Sequence, residues 1–205
     1  MDIIDIHTHG IGGHDTKGAT PDDILKVAEI HGRHGVSSII PTLYPAAVNT
    51  MRKEMEAVKK AMQCQKKGAR IAGLHLEGPF LNPLQPGALD KKSFLKPDKK
   101  TLKGLVEGFE DVVKIITVAP ELEGSINFIK AISDMGIIVS MGHSDATYEE
   151  AEKGYNAGAR GITHIFNAMR GFNHRQPGIA GFGLLNKHIY IEVISDPFHL
   201  HKGTV

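Results

Sequence analysis

The 205-residue sequence has one cysteine, no tryptophan, and no apolar run near the ~20 residues that a spanning helix needs. A lone Cys64 excludes an internal disulfide framework. Lys and Arg total 24 against 23 Asp and Glu, a formal charge of +1, so the basic excess that draws proteins to a phosphate backbone is missing. Neither nucleic acid nor membrane is an expected partner. The start, Met1-Asp2-Ile3, lacks the basic stretch and apolar core of a secretory leader, and a cytoplasmic setting is expected. What is present is an ordinary globular composition, 41% hydrophobic and 23% charged, with one excess: twelve histidines.

Short β-branched runs alternate with segments of helical period, the pattern of a parallel sheet with crossover helices. Strands are expected at Ile3 to His7, Ser37 to Pro41, Arg70 to Leu76, Val113 to Ala119, Gly136 to Met141, Arg160 to His164 and Tyr190 to Ser195. A helix opens at Thr20-Pro21-Asp22-Asp23, where Thr20 caps and Pro21 suits the first turn, and stops near Gly35. Thr147 with Glu150 forms a capping box for another, closed by Gly158. A third runs from Ser125 with Ile126, Ile129 and Ile132 as its buried stripe, and two more are expected at Val48 to Lys67 and Asp98 to Glu107. No composition shift marks a boundary, so residues 1–205 read as one domain. Gly78 to Lys96 is the longest segment without periodicity, and loops of that length are usually functional.

In a parallel β/α barrel the site is built at the C-terminal ends of the strands. Metal-binding residue types recur there. The first strand ends in Asp5-Ile6-His7-Thr8-His9, and alternation puts His7 and His9 on one face. The third ends in His75-Leu76-Glu77, the fifth in Gly142-His143, the sixth in Thr163-His164, and Asp196, His199 and His201 follow the seventh. A lone histidine in a strand is most often a hydrogen-bonded structural residue. Repetition at successive strand ends points instead to a divalent cation held by imidazole and carboxylate, with a position open to water. Zn²⁺ is the expected ion, with Fe²⁺, Mn²⁺ and Co²⁺ open alternatives, one or two per chain. His75 alternates with Glu77 and is expected to pack beside the site rather than ligate.

Other polar residues have plainer readings. His31, His34 and His188 are expected to be solvated, and His14 and Asp15 to stabilise the loop after Gly10 to Gly13. Three adjacent residues, His143-Ser144-Asp145, cannot converge as a hydrolytic triad. Gly10-Ile11-Gly12-Gly13 lacks the spacing of a dinucleotide fingerprint. Cys64 sits on a helix far in sequence from any histidine and is not expected to be catalytic.

The runs His75-Leu76-Glu77-Gly78-Pro79-Phe80, Gly142-His143-Ser144, Thr163-His164-Ile165-Phe166-Asn167-Ala168-Met169 and Arg175-Gln176-Pro177-Gly178 resemble, in order and spacing, the N-acetylglucosamine-6-phosphate deacetylases of the amidohydrolase superfamily. The resemblance extends from His7 to about His201. It implies a metal-dependent (β/α)8 TIM barrel, incomplete here with about seven strands and without the small β domain. It implies that Glu77, His143 and His164 hold the principal metal and that His7 and His9 support a second. Ala88 matches a backbone contact to the sugar; Asn167, the Ala168 amide, Arg175 and His199 match the group that binds the sugar phosphate. Arg suits that task because its planar fork meets phosphate in a bidentate way. The implied reaction hydrolyses the acetamide of N-acetylglucosamine 6-phosphate to glucosamine 6-phosphate and acetate, and the implied assembly is a homodimer.

The sequence departs from that family at three places. The family's general base is an Asp on an eighth strand, which would lie beyond Val205, so the 205 residues alone are expected to bind without turning over. Leu89 stands where the family commonly has a histidine near the acetamide carbonyl, so one hydrogen-bond donor is missing. Pro197 follows Asp196 where the family has glycine. A deacetylase for a related amino-sugar phosphate is the alternative these departures favour.

Overall fold

Each of the seven runs read as strands carries strand structure in the computed structural model, which describes residues 2–205. The chain forms two units by its own contacts. One holds the residues up to Glu77 together with Lys100–Ile116, the other Gly78–Lys99 together with Thr117–Val205.

In the first unit, β1 (Ile3–Thr8) leads into a hairpin of β2 (Gly10–Ile11) and β3 (His14–Asp15), followed by α1 (Pro21–Arg33) and β4 (Val36–Leu43). Then come α2 (Val48–Cys64), β5 (Arg70–Ile71), β6 (Leu74–Leu76), α3 (Lys99–Val106) and the first residues of β7 (Val113–Val118). The main pairings are parallel: Asp5 lies opposite Ile39, Thr42 opposite His75, and His75 opposite Ile115. That register sets the ends of β1, β4 and β6 side by side.

Helix α1 starts as its sequence dictates. Thr20 accepts from the Asp23 amide, and the Asp23 carboxylate accepts from the Thr20 amide at 3.0 Å; the Thr20 hydroxyl, donating to Asp23 Oδ2 at 2.6 Å, is the main cause that holds the Asp23 carboxyl below the usual range, followed by that amide. Its buried face is Ile24, Val27, Ala28 and His31, a spacing of three, four and seven. His31 is therefore buried, not solvated as expected; its Nε2 lies 3.1 Å from the Thr8 hydroxyl. The run read as one strand from Arg70 to Leu76 is broken at Gly73, whose φ of +154° suits glycine and whose missing Cβ would come 2.8 Å from the Val112 carbonyl oxygen.

The second unit holds the long loop with a 3-10 turn at Lys91–Ser93, the end of β7, α4 (Ser125–Asp134), β8 (Ile138–Met141) and α5 (Tyr148–Asn156). It closes with β9 (Gly161–Ile162), α6 (Gly178–Leu185) and β10 (Tyr190–Ile191). Ile162 lies opposite both Met141 and Ile191 in parallel register. Helix α4 buries Phe128, Ile129 and Ile132, while Ile126 is 37% exposed. The expected stripe is therefore rotated, because Phe128 offers more area than Ile126 and stacks edge-on against Phe80 at 4.4 Å. The α5 capping box is present on both sides.

Helix α6 has no counterpart in the sequence reading. Its residues GIAGFGLL are apolar all round and glycine-rich, so they show neither a periodic face nor helix propensity. Among the described residues, no helix is long and apolar enough to cross a membrane.

Candidate metal centre

In the first unit the end of β1 presents His7 and His9 on one face, while Thr8 turns away to His31. Glu77 follows β6, fixed by its amide bond to the Leu43 carbonyl at 3.0 Å. Its carboxylate is nearly fully buried, with Oε1 3.3 Å from His7 Nε2 and Oε2 3.1 Å from His9 Nε2. The two Nε2 atoms are 3.3 Å apart. His9 Nδ1 lies 3.1 Å from the Thr42 carbonyl oxygen. A carbonyl only accepts, so Nδ1 carries a proton, and Nε2 is the ring nitrogen turned toward the Glu77 carboxylate. Tyr44 stacks on His9 at 3.9 Å, and its phenol is pushed up to about 12, chiefly by burial and further by the charges of Asp15 and Glu77. His75 is buried, with Nδ1 3.3 Å from the Ile6 carbonyl oxygen and its ring against His7 at 4.8 Å.

In the second unit His143 follows β8 and His164 follows β9. Both are buried, and both take a left-handed backbone, with φ of 47° and 31°. For non-glycine residues such conformations persist only where surrounding contacts impose them, typically at functional sites. Gly142 makes the approach possible, since a Cβ there would lie 2.7 Å from the Thr163 Cβ. His143 Nδ1 lies 3.0 Å from the Gln85 carbonyl oxygen, so it too carries the ring proton on Nδ1. Its Nε2 faces His164 Nε2, 3.1 Å away.

The remaining residues implied by the resemblance lie in this second unit. Asn167 donates its side-chain amide to the Ile165 carbonyl at 3.3 Å. Ala168 is left-handed, φ 48°, and its carbonyl accepts from the Ser144 amide at 3.2 Å. Ala88 is exposed in the long loop, and Arg175 is exposed, its amide bonded to Asn173 Oδ1 at 2.9 Å. His199 Nδ1 lies 2.8 Å from Asp196 Oδ2; Asp196 also accepts the Phe198 and His199 amides, and its carboxyl is held below the usual range, first by the His199 amide.

Three features were not anticipated: the Thr42 and Gln85 carbonyls that set the imidazole tautomers, the Tyr44 stack, and Glu121. One Glu121 oxygen accepts from Asn82 Nδ2 at 2.8 Å and the Asp145 amide at 2.6 Å, and the other from the Ser144 hydroxyl at 2.7 Å. Glu121 lies just past the fourth expected strand, Val113 to Ala119, so the same strand-end rule extended to that strand would have found it.

These arrangements suit a cation. A lone pair set against a carboxylate or a second imidazole nitrogen near 3 Å is repulsive unless a proton or metal lies between them. Histidines whose other ring nitrogen is tied to a carbonyl are what divalent ions select. The ligand atoms of His7, His9 and Glu77 lie within 4.8 Å of one another.

Residues 3–191 match the model of the amidohydrolase family. The chain belongs to the amidohydrolase family. That family is metal-dependent, and this member has histidine and glutamate groups able to hold a divalent ion. It is similar to an N-acetylgalactosamine-6-phosphate deacetylase of Escherichia coli O157:H7, 33% identical over 202 residues, covering 98% of this chain and 54% of that protein. It is 34% identical over 203 residues to an N-acetylglucosamine-6-phosphate deacetylase of Vibrio furnissii, covering 99% of this chain and 51% of that one. Among solved structures, a mutant N-acetyl-D-glucosamine-6-phosphate deacetylase from Mycobacterium smegmatis in complex with N-acetyl-D-glucosamine 6-phosphate superposes with a TM-score of 0.91 at 30% identity, over 97% of this chain and 51% of that one. The β/α fold of the metal-dependent hydrolases, expected from the alternation of strands and helices, is thereby borne out. The chain spans about half the length of the curated relatives it matches.

Proposed function

We propose that the protein serves the metal-dependent deacetylation of N-acetylglucosamine 6-phosphate, which yields glucosamine 6-phosphate and acetate. The observation that carries this reading is the facing of His143 Nε2 and His164 Nε2 at 3.1 Å, in a chain whose relatives are named as deacetylases of amino-sugar phosphates. In this reading Glu77, His143 and His164 hold the principal ion and His7 and His9 support a second. Zn²⁺ is favoured by a mixed set of imidazole and carboxylate donors. When bound, such an ion lowers the pKa of water toward ~7 and polarises an amide carbonyl.

The chain's own residues contribute binding and orientation. The Gln85 and Thr42 carbonyls accept the Nδ1–H of His143 and His9 and so orient the rings with Nε2 as the nitrogen available to a ligand. Arg175, Asn167, the Ala168 amide and His199 supply donors suited to a phosphate dianion, and Ala88 supplies backbone to the sugar. A homodimer and a cytoplasmic setting belong to the same reading, the latter because a charged sugar phosphate does not cross membranes unaided. Leu89, which offers no hydrogen bond, together with the galactosamine-type relative, favours a second reading in which the 4-hydroxyl epimer is the better substrate.

The test is calorimetric titration of N-acetylglucosamine 6-phosphate and its galactosamine counterpart into the zinc-loaded protein, with acetate followed in parallel. Binding with acetate release supports the deacetylase reading. Binding without release supports a narrower role as a metal- and sugar-phosphate-binding chain. Absence of binding of either sugar phosphate overturns both.

A further inference from the structure

We propose that Asp145 is a positioning residue that sets the orientation of the His143 ring through Gln85. The proposal rests on the assignment of His143 as a metal ligand for its purpose, though not for its geometry. The His143 ring is reached from Asp145 through Gln85. Its Nδ1–H donates to the main-chain carbonyl of Gln85 at 3.0 Å, and the position of that carbonyl depends on where the long loop is held.

Asp145 is what holds it. The Gln85 side chain donates from Nε2 to Asp145 Oδ1 at 3.0 Å, and Arg170 donates from Nη2 to Asp145 Oδ2 at 2.6 Å. The carboxylate thus ties the loop carrying Gln85 to the segment after β9 that carries Arg170. The Asp145 main chain is fixed in turn, its amide donating to Glu121 Oε1 at 2.6 Å, while Ser144 donates its hydroxyl to Glu121 Oε2 at 2.7 Å. Asn82 closes the frame, its amide on the His143 carbonyl at 2.9 Å and its Nδ2 on Glu121 at 2.8 Å.

This frame explains why His143 keeps a left-handed backbone, φ 47°, and why the loop can sit so close. A Cβ on Gly87 would come within 3.3 Å of His143 Cε1. With the Asp145 carboxylate removed, the Gln85 carbonyl loses its anchor and the ring loses its fixed donor site. The Nδ1–H tautomer then gives way to a mixture, and fewer molecules present Nε2 as a lone pair.

The experiment uses ¹⁵N-labelled histidine in the metal-free 205-residue protein, with long-range ¹H–¹⁵N spectra reporting the tautomer of His143. Asp145→Ala and Gln85→Ala are each expected to convert His143 from the Nδ1–H form to a mixture, with Lys130→Ala as a surface control that leaves it unchanged. Zn²⁺ affinity, measured by competition with a chelating dye, is expected to fall about 10–100-fold in both variants. Gln85→Ala guards against simple misfolding, because Gln85 lies in a loop and its backbone carbonyl survives the substitution. An unchanged His143 tautomer in both folded variants overturns the proposal. If wild-type protein takes up no zinc yet the tautomer shifts, the positioning role stands and the metal reading falls.

Discussion

His143 Nε2 and His164 Nε2 face each other at 3.1 Å, and the Gln85 carbonyl accepts the Nδ1–H of His143, leaving Nε2 as the nitrogen turned toward His164. Two imidazoles held this way form a pair suited to ligating a cation. His164→Ala is expected to lower Zn²⁺ affinity at least about 100-fold, more than loss of a supporting hydrogen bond costs. Dye competition at pH 7 measures it, and circular dichroism confirms that the variant is folded.

Burial holds the His31 imidazole below its ordinary range, with Asp5 opposing in part. A base whose folded pKa is depressed binds fewer protons when native than when unfolded. Its contribution is therefore complete above the ordinary value near 6.5 and is lost as pH falls below it. Denaturant midpoints should decline between pH 7 and pH 5 in wild type. His31→Gln should flatten that decline, and equal slopes in the two proteins would contradict the assignment.

The rotated face of α4 gives a direct stability comparison. Phe128→Ala removes a buried ring packed on Phe80 and is expected to cost about 3–5 kcal/mol, whereas Ile126→Ala at the partly exposed position is expected to cost less than about 1 kcal/mol. Urea unfolding of both variants distinguishes this face from one centred on Ile126.

Thr147→Ala removes the hydroxyl that accepts the Glu150 amide at 3.2 Å at the start of α5. The expected loss is about 1 kcal/mol, with Thr147→Ser retaining most of it. Equal stability of the alanine and serine variants would show that the cap contributes nothing.

Local signals carried the fold far. The Thr20 cap, the Thr147 capping box, the alternation of strand and helix, and seven of the strand runs could be read from residue types, because capping and periodicity act within one or two turns; the short β2–β3 hairpin was not. The burial of His31 was legible too, because Ile24, Val27, Ala28 and His31 form a single helical face. Helix α6 shows a real limit, since its uniformly apolar residues offer no periodic face, although Leu184 and Leu185 at its end are exposed. At the site, His7, His9 and Glu77 were legible as types at strand ends and do converge in the first unit. The Thr42 and Gln85 carbonyls were not legible, because any residue supplies a carbonyl and only the chain path decides which one meets an imidazole.

The proposal drawn from the resemblance is that Glu77, His143 and His164 hold the principal divalent ion. Crystals grown with zinc and measured on both sides of the zinc absorption edge test it. The expected result is an anomalous peak bonded to the Glu77 carboxylate and to Nε2 of His143 and His164 at about 2.0–2.2 Å. A zinc-saturated crystal with no peak on those three residues would contradict it.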